Sequence, residues 1–358
     1  MNIRVEKLRS KLSELSLDAI LISQTENRRY LSGFTGSAGY LLISPDRAIV
    51  TTDFRYLEQA GLEAPDFQVI RITGEPPKWF PDLAATLGGQ KIGFESTDIS
   101  FAMYQALTQA LAQSQAAKHL RLIPVQQVVE PIRAVKEESE LKLMQQAAAL
   151  SDAAFEHVAA TIAPGVTEKQ IAWALEKYLK ENGSGPLPFD IIVGSGPNSA
   201  LPHIRPGDRP VQEGEPIVID VGARWKGYCS DLTRTIWLGK PDKKLTQVYD
   251  IVLAAQLTAM ATMATSMTGE QADRLARTVI EQAGYGEAFG HSLGHGVGLV
   301  PHEFPRLGSG STDVLANGMV LTDEPGIYIT GWGGVRIEDM VVMENGRPKS
   351  LSHARKQS

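Results

Sequence analysis

Two carboxylates interrupt the stretch PIVIDVGARWKGYCSDLTRT, at Asp220 and Asp231, where the pattern otherwise indicates two neighbouring buried strands. An unpaired charge is costly to bury, so such positions usually hold apolar residues. With Trp225 and Lys226 as the turn, the two acids lie directly opposite each other; with Lys226 and Gly227, they are diagonal neighbours. Either turn predicts that both side chains share one face, where a cation must lie between them. That cation is either a metal ion or a basic side chain.

A second acid pair occurs in VLTDEPGIYITGWGGVRIEDMVVM, at Glu324 and Glu338. The two positions have the same parity on two apolar runs, so an odd-length turn such as TGWGG places both on one face. Pro325 makes the first of these strands irregular. Four acids that project inward from two hairpins require compensating positive charge.

Histidine supplies a fifth group, because GHSLGHGVGLVPHE contains His291, His295 and His302. His291 and His295 are spaced as in a helical zinc motif, but the surrounding glycines disfavour a helix. In an extended chain they are about 13 Å apart, at about 3.3 Å per residue. We therefore expect one of them to bind metal and the other to work beside it.

Four oxygen donors and one imidazole exceed the ligand set of a lone tetrahedral zinc ion and suit two adjacent divalent ions, of manganese, cobalt or zinc. Such a pair stabilises both oxygens of a tetrahedral transition state, which predicts a hydrolase. Taken singly, each acid is more often a strand-end cap or a salt-bridge partner, and each histidine a hydrogen-bonded structural residue. The metal hypothesis depends on their combination.

The elements that must position these residues follow a repeated order, which suggests two related half-domains with a site between them. The predicted order is helices at 137–160 and 167–182, strands from 186 to 238, helices at 244–266 and 269–283, and strands from 289 to 344.

The part of the chain before these helices alternates helix and strand, which predicts an α/β layer. IRVEKLRSKLSEL and ISFAMYQALTQALAQ have helical spacing, DAILIS, GYLLIS and RAIVTT indicate strands, and NRRYLSGFTGSAGY is predicted as loop or turn. Near Pro131 a charged segment opens a long helix. We therefore predict domains at 1–130 and 131–358.

The bulk composition excludes several classes of protein. The 358 residues are 43% hydrophobic and carry a net charge of −6 without a basic stripe, which disfavours a nucleic-acid partner. The single cysteine, Cys229, excludes an internal disulfide framework and fits a reducing compartment. The charged N-terminal stretch has no apolar signal core, and the run at 251–267 is typical of a buried helix. We expect a cytoplasmic protein that does not contact a membrane.

The motifs IDVGA, SDLTRT, GHGVGL, DEPGIY and GVRIED, which carry the five residues, resemble the ligand motifs of the pita-bread metallopeptidases. NRRYLSGFTGSAGYLLISPDRAIVTTDFRY resembles a creatinase-type N-terminal domain, and GSGPNSALPHIRPGDR resembles the prolidase and aminopeptidase P branch. The resemblance spans nearly the whole chain. It implies an α/β protein with a small N-terminal creatinase-like domain and a C-terminal pita-bread catalytic domain of pseudo-twofold α+β architecture.

The resemblance also implies a ligand set for two divalent ions, manganese or else cobalt or zinc. By this resemblance Asp231 and Glu338 would bridge both ions, Asp220 would complete one site, and His295 with Glu324 would complete the other. The resemblance implies that a hydroxide between the ions would attack the scissile carbonyl. The implied substrate is a peptide whose second residue is proline, and the implied assembly is a homodimer.

Further residues receive roles from the same resemblance. His203, in LPHIRP, and His302 resemble residues that contact substrate and assist proton transfer, and His291 resembles a residue of the proline pocket. Tyr328 and Arg336 resemble groups that orient the metal ligands. A plain salt bridge to Asp220 is the alternative for Arg336.

The branch contains dipeptidases and aminopeptidases, and Arg306, in PHEFPRLG, favours the first. In prolidases an arginine here resembles a clamp for the free carboxylate of a dipeptide, which a guanidinium binds with two hydrogen bonds. A solvated loop arginine is the alternative. Two positions depart from the usual pattern: Asp323, expected to point away from the metals, and Leu293, which could alter the pocket.

Two other classes of function occur on this fold, namely protein-binding modules and metal-free enzymes such as those that hydrolyse creatine. Both classes predict missing ligands. All five ligand positions are intact here, so the sequence favours a metallopeptidase.

Overall fold

The computed structural model describes residues 2–357 as two compact units, one that ends at Arg133 and one that begins at Ala134. Within residues 2–357, none of the helices combines the length and the apolar character that crossing a membrane requires.

The first unit is built on a six-stranded mixed sheet with the order β4-β3-β2-β1-β5-β6. β1 pairs in parallel with β5 and antiparallel with β2. The elements are α1 (Ile3–Glu14), β1 (Ala19–Ile22), α2 (Thr25–Ser32), β2 (Tyr40–Ile43), β3 (Ala48–Thr52), α3 (Leu57–Glu63), β4 (Gln68–Arg71), α4 (Pro76–Ala84), β5 (Lys91–Glu95), α5 (Phe101–Gln113), β6 (Arg121–Val125) and α6 (Glu130–Ala134), which ends at the division.

The predicted strands β1, β2 and β3 and the predicted helices α1 and α5 are confirmed. The prediction of loop or turn from Asn27 to Tyr40 is wrong for its first part, which belongs to α2. Buried Asn27 donates to the Glu95 carboxylate at 2.6 Å, and buried Arg28 donates to the carbonyls of Gly36 and Gly39. These contacts with residues elsewhere in the unit make a polar helix stable in a buried position.

The second unit repeats one order of elements twice, as predicted: two helices followed by strands. The first set is α7 (Glu138–Ala159), α8 (Glu168–Glu181), β7 (Ile192–Ser195), β8 (Ile217–Asp220), β9 (Arg224–Trp225), β10 (Tyr228–Cys229) and β11 (Thr233–Ile236). The second set is α9 (Lys243–Thr262), α10 (Gly269–Gln282), β12 (Gly294–Gly296), β13 (Glu303–Leu307), β14 (Val320–Asp323), β15 (Gly326–Ile329), β16 (Gly333–Arg336), β17 (Asp339–Glu344) and β18 (Arg347–Ser350).

Helices α8 and α10, the second helix of each set, begin with the same local chemistry. Thr167 and Gln170 form a capping box at the start of α8, and Thr268 and Gln271 form one at the start of α10. Each box pairs backbone N–H groups that would otherwise lack partners in the first turn. The shared signal supports the prediction of two related halves.

The strands of this unit form a three-stranded sheet, β11-β8-β7, and a five-stranded sheet, β13-β12-β14-β17-β18, with β9-β10 and β15-β16 as two-stranded extensions. One hydrophobic core lies between the first sheet and α7 and α8, and another between the second sheet and α9 and α10. Burial of valine, isoleucine and leucine on the inner faces fixes the register of the strands that carry the acids.

Candidate metal centre

Asp220 ends β8, and Asp231 lies between β10 and β11. The pairing of β9 with β10 leaves a loop of Lys226 and Gly227, whose φ angles are 46° and 94°, as a tight hairpin turn requires. The same register pairs Asp220 with Thr233 and leaves Asp231 diagonal to Asp220. The second of the two predicted turns is therefore confirmed, and both carboxylates border one cavity.

β14 with β15 and β16 with β17 form the two arms of one long hairpin. Glu324 and Glu338 lie on opposite arms, in the gap between the β14–β17 and β15–β16 pairings. The register of β14 with β17 continues unshifted into that of β15 with β16, and the closing loop, 330–332, has odd length. The N–H of Ile337 donates to the carbonyl of Pro325, which carries the ladder across the gap. Glu324 therefore lies directly opposite Glu338, as the parity argument predicted, and both border the same cavity.

His295 lies on β12 and directs one ring nitrogen at these acids. Its Nδ1 is 3.1 Å from the carbonyl of Gly296, and since a carbonyl only accepts, Nδ1 carries a proton. Its Nε2 is 3.2 Å from Oε1 of Glu324 and 3.9 Å from Oδ2 of Asp231. The ring is thus oriented for Nε2 to bind a cation held by the carboxylates.

The carboxylate–histidine cluster, which consists of Asp220, Asp231, His295, Glu324 and Glu338, has the composition and spacing of a divalent metal site. Asp231, His295 and Glu338 each have a ligand atom, and these atoms lie within 4.8 Å of one another. Oδ1 of Asp220 is buried without a hydrogen-bond partner among the residues that the structure describes. A bound cation would give this buried oxygen a partner and would neutralise the excess negative charge of the carboxylates.

The charges of the cluster perturb the pKa values of its members. Burial, followed by the charge of Glu338, raises the pKa of Asp231 well above its usual value, and burial likewise raises that of Glu338. Burial opposes ionisation of Glu324 too, but its hydrogen bond with His295 and the charge of that ring outweigh the effect and lower its pKa to about 2. Metal binding therefore competes with protons at Asp231 and Glu338.

Arg336 connects the cluster to the rest of the site. Its guanidinium donates to Oδ2 of Asp220 at 2.6 Å, to the hydroxyl of Tyr328 at 2.8 Å and to the hydroxyl of Thr233 at 3.0 Å. Thr233 in turn donates to Oε2 of Glu338 at 2.6 Å. One buried arginine thus fixes two acids, one directly and one through a threonine.

The chain of hydrogen bonds ends at His291. Its Nδ1 is 2.8 Å from the carbonyl of Ser292, which identifies Nδ1 as a donor. With its single proton on Nδ1, the neutral ring has a bare Nε2, which is 3.0 Å from the Tyr328 hydroxyl; that hydroxyl therefore donates to His291 and accepts from Arg336. Burial lowers the pKa of His291 and raises that of Tyr328 to about 12, so both groups are neutral near pH 7.

The cavity that these residues border has a volume of about 620 Å³ and an apolar wall. His203, His302 and Arg306 line it as well, together with Phe189, Ile191, Ile192, Pro202 and Ile204. The ring of His302 is exposed and lies 4.0 Å from that of His295. All the predicted site residues except Tyr328 border this cavity, and Tyr328 contacts it through His291 and Arg336.

Arg306 is exposed and is oriented by its neighbours. Its guanidinium donates to the carbonyl of Ser309 and to the hydroxyl of Ser292, the latter at 3.3 Å. Leu293 is fully buried in the hydrophobic core and is not among the residues that line the cavity, and its N–H donates to Asp273.

Sequence reasoning missed three polar residues behind the cluster, namely Thr233, Arg234 and Asp339. The sequence signal was a polar triplet, TRT, inside a run with the pattern of a buried strand. Buried polar side chains in strands need partners, but apart from the carbonyl of Thr233 the partners of Arg234 lie more than a hundred residues further along the chain. Local spacing cannot reveal them.

Comparison with known proteins identifies the family. The model of metallopeptidase family M24 matches residues 142–345, and that of the creatinase/prolidase N-terminal domain matches residues 4–135. A Xaa-Pro dipeptidase from Pyrococcus horikoshii is 36% identical over 354 residues, which are 98% of this chain and 97% of that protein.

Solved structures share the whole fold. A Xaa-Pro dipeptidase from Bacillus anthracis has a TM-score of 0.94 at 42% identity, over 99% of this chain and 98% of the other. An X-Pro aminopeptidase from Thermotoga maritima has a TM-score of 0.87 at 36% identity, over 97% and 99%. The predicted fold class, a creatinase-type α/β domain followed by a pita-bread domain, is confirmed. The chain belongs to metallopeptidase family M24.

Proposed function

We propose that the chain is a metal-dependent hydrolase of Xaa-Pro peptide bonds, and specifically a Xaa-Pro dipeptidase. The observation that carries the proposal is the convergence of four carboxylates and one imidazole on a cavity that also contains three further candidate substrate contacts, His203, His302 and Arg306. Relatives that are Xaa-Pro dipeptidases cover nearly the whole chain at 35–42% identity.

We further propose that the domains extend over 1–130 and 131–358.

The carboxylate–histidine cluster would hold two divalent ions. In this assignment Asp231 and Glu338 would serve both ions, Asp220 would complete one site, and His295 with Glu324 would complete the other. Manganese is the expected metal, with cobalt and zinc as alternatives. When bound, such ions supply a nucleophile at neutral pH and stabilise negative charge that develops on the scissile carbonyl oxygen.

The chain's own residues orient the ligands and the substrate. Arg336 holds the Asp220 carboxylate and, through Thr233, that of Glu338, so the geometry of both is fixed before substrate binds. His203 and His302 border the cavity and would contact the peptide and transfer a proton at their ring nitrogens. His291, neutral and held by Tyr328, would pack against the proline ring.

The preference for dipeptides is supported by Arg306. A dipeptide presents its free carboxylate next to the scissile bond, where a guanidinium can bind it with two hydrogen bonds. The side chain lines the cavity and is already oriented by Ser309 and Ser292, so little side-chain entropy is lost when it binds. The alternative is an aminopeptidase that acts on longer peptides, because the similar structure from Thermotoga maritima is an X-Pro aminopeptidase.

The test compares the hydrolysis of Ala-Pro with that of Ala-Pro-Ala, on protein stripped with EDTA and reloaded with Mn²⁺. The proposal predicts metal-dependent cleavage of Ala-Pro and little cleavage of the tripeptide. Asp231→Asn should abolish turnover, while Asp208→Asn, at an exposed ion pair with Lys169, should not. Preference for the tripeptide would identify an aminopeptidase, and normal turnover by the Asp231 variant would contradict the metal mechanism.

We propose that the protein is a homodimer, on the family resemblance, and that it is cytoplasmic and has no nucleic-acid partner, on its composition and charge. Light scattering on the purified chain tests the dimer, and a monomeric mass would contradict it. Fractionation of cells that express the chain tests the location.

A further inference from the structure

The segment 352–357 packs against α7 and contacts Arg234 on β11 and Asp339 on β17, the strands that follow Asp231 and Glu338. Asp152 on α7 accepts hydrogen bonds from the backbone N–H groups of His353 and Ala354, at 2.8 and 3.0 Å. Glu156, one turn further along α7, accepts the N–H of Arg355 at 2.7 Å. The helix thus fixes the path of the segment, and the side chain of Lys356 extends from it towards β17.

Arg234 joins this segment to the metal-ligand strands. Its buried guanidinium makes five hydrogen bonds: two to the carbonyl of Ala354, one each to the carbonyls of Thr233 and Glu338, and one to Oδ1 of Asp339. Five is the full donor capacity of an arginine, so none remains for another partner. The backbone of Glu338 is therefore held by a side chain whose own position depends on the segment.

Lys356 completes this arrangement from the other side of Asp339. Its ammonium group lies 2.7 Å from Oδ2 of Asp339 and 3.0 Å from Oε1 of Gln256, whose amide also donates to Oδ2 of Asp339. Arg234 thus holds one oxygen of Asp339, and Lys356 with Gln256 holds the other. The same Arg234 guanidinium binds Oδ1 of Asp339 and the carbonyl of Glu338, so the position of the Asp339 carboxylate and that of the Glu338 peptide are coupled.

A second buried acid lies opposite Asp339. Asp323 is directly opposite Asp339 in the β14–β17 ladder and is fully buried, and both its carboxylate oxygens lack hydrogen-bond partners within residues 2–357. Arg234 and Lys356 are therefore the two cations that offset buried negative charge at this point of the β14–β17 ladder, next to Glu324 and Glu338.

We propose that Lys356 is a positioning residue for the metal centre, which acts through Asp339 and Arg234 on the backbone of Glu338. This inference rests on the proposed function, since it takes Glu338 as a metal ligand. Residues that support metal ligands typically contribute a factor of about 10–100 to metal affinity or activity. Lys356 is a quarter exposed at its side chain, so its removal leaves the hydrophobic core intact.

The test measures Mn²⁺ binding to the metal-stripped full chain by titration calorimetry, for the wild type, Lys356→Met, Lys356→Arg and Lys349→Met. Lys349 forms an exposed ion pair with Glu344 at the far end of β17 and is the matched control. We expect Lys356→Met to raise the Mn²⁺ dissociation constant about tenfold. Lys356→Arg should restore most of the affinity, and the control should leave it unchanged. The Co²⁺-loaded Lys356→Met protein should show a shifted visible absorption spectrum.

Thermal unfolding of the metal-free proteins separates positioning from stability. Unchanged Mn²⁺ affinity and Co²⁺ spectrum in Lys356→Met would overturn the proposal, even if the melting temperature fell. Equal losses of affinity in Lys356→Met and Lys349→Met would overturn it too. If the wild type bound no Mn²⁺, the ligand assignment under the proposed function would be wrong, and the positioning role would be overturned with it.

Discussion

Arg336 and Asp220 form a buried ion pair with a nitrogen–oxygen distance of 2.6 Å, and only one of the two carboxylate oxygens takes part. The other oxygen, Oδ1, is buried and has no hydrogen-bond partner in the part of the chain that the structure describes. The salt bridge and the ligand-orienting role predicted for Arg336 are thus compatible, because the pair holds the carboxylate with one oxygen left for a cation.

We expect Arg336→Lys to lower metal affinity and turnover by about 10–100-fold, although it keeps the charge. A lysine ammonium cannot reproduce a planar guanidinium that reaches Asp220, Tyr328 and Thr233 together. Mn²⁺ titration and the steady-state rate on Ala-Pro measure the effect. Arg347→Lys is the control, since this exposed arginine donates to the backbone carbonyls of Thr262 and Met263. Equal activity of Arg336→Lys and the wild type would mean that charge alone matters.

The Tyr328 hydroxyl joins Arg336 to His291, so Tyr328→Phe removes two hydrogen bonds at once. Each contributes about 1 kcal/mol, and we expect kcat/KM for Ala-Pro to fall by roughly tenfold or more. Tyr178→Phe, on α8 and away from the cavity, should have no effect. An unchanged kcat/KM in Tyr328→Phe would show that His291 is positioned by its Ser292 contact alone.

The metal-free protein should gain stability when one acid of the cluster is neutralised. Burial and the charge of Glu338 raise the pKa of Asp231 well above 3.8, so the folded state binds more protons than the unfolded state above that pH. Stability therefore falls as the pH rises from about 4 through the raised pKa. Each unit of pKa difference is worth about 1.4 kcal/mol.

Asp231→Asn should accordingly raise the melting temperature of the EDTA-treated protein at pH 7, by roughly 2–4 °C for each kcal/mol of repulsion relieved. The variant should also lose the stabilisation that Mn²⁺ gives the wild type. Differential scanning fluorimetry from pH 5 to 8 measures both, with Asp208→Asn as the surface control. A lower melting temperature in the metal-free Asp231 variant would contradict the account of the buried charge.

Much of the site was predictable because it depends on strand alternation. Glu324 and Glu338 share parity around an odd loop, and Lys226 with Gly227 forms a tight turn, so local rules place each pair on one face. Helix α2 was not predictable, because the partner of its buried Asn27 is Glu95, 68 residues away. The contact of Lys356 with Asp339 is also tertiary and has no local signal.

Arg277 supports the loop that carries His291, and its loss should affect substrate binding more than chemistry. It pairs with Asp273 on α10 and donates to the carbonyls of Phe289 and His291. We expect Arg277→Met to raise KM for Ala-Pro several-fold with a smaller change in kcat, because the metal ligands lie on other strands. Arg274→Met, an exposed arginine of the same helix, is the control. A fall in kcat at constant KM would contradict this expectation.

Arg306 gives the sharpest test of substrate class. The group that it is proposed to bind, the free carboxylate of the dipeptide, can be removed by a change of substrate as well as by mutation of the protein. Arg306→Met should raise KM for Ala-Pro about 10-fold or more, since a charge-assisted contact is worth about 1.5–3 kcal/mol. It should leave KM for Ala-Pro-amide unchanged, because the amide has no carboxylate. Arg205→Met is the matched control, since Arg205 is also exposed and lines the same cavity. If Arg205→Met raised KM for Ala-Pro alone and Arg306→Met did not, Arg205 would be the carboxylate clamp. If Arg306→Met raised KM equally for Ala-Pro and Ala-Pro-amide, carboxylate recognition by Arg306 would be excluded.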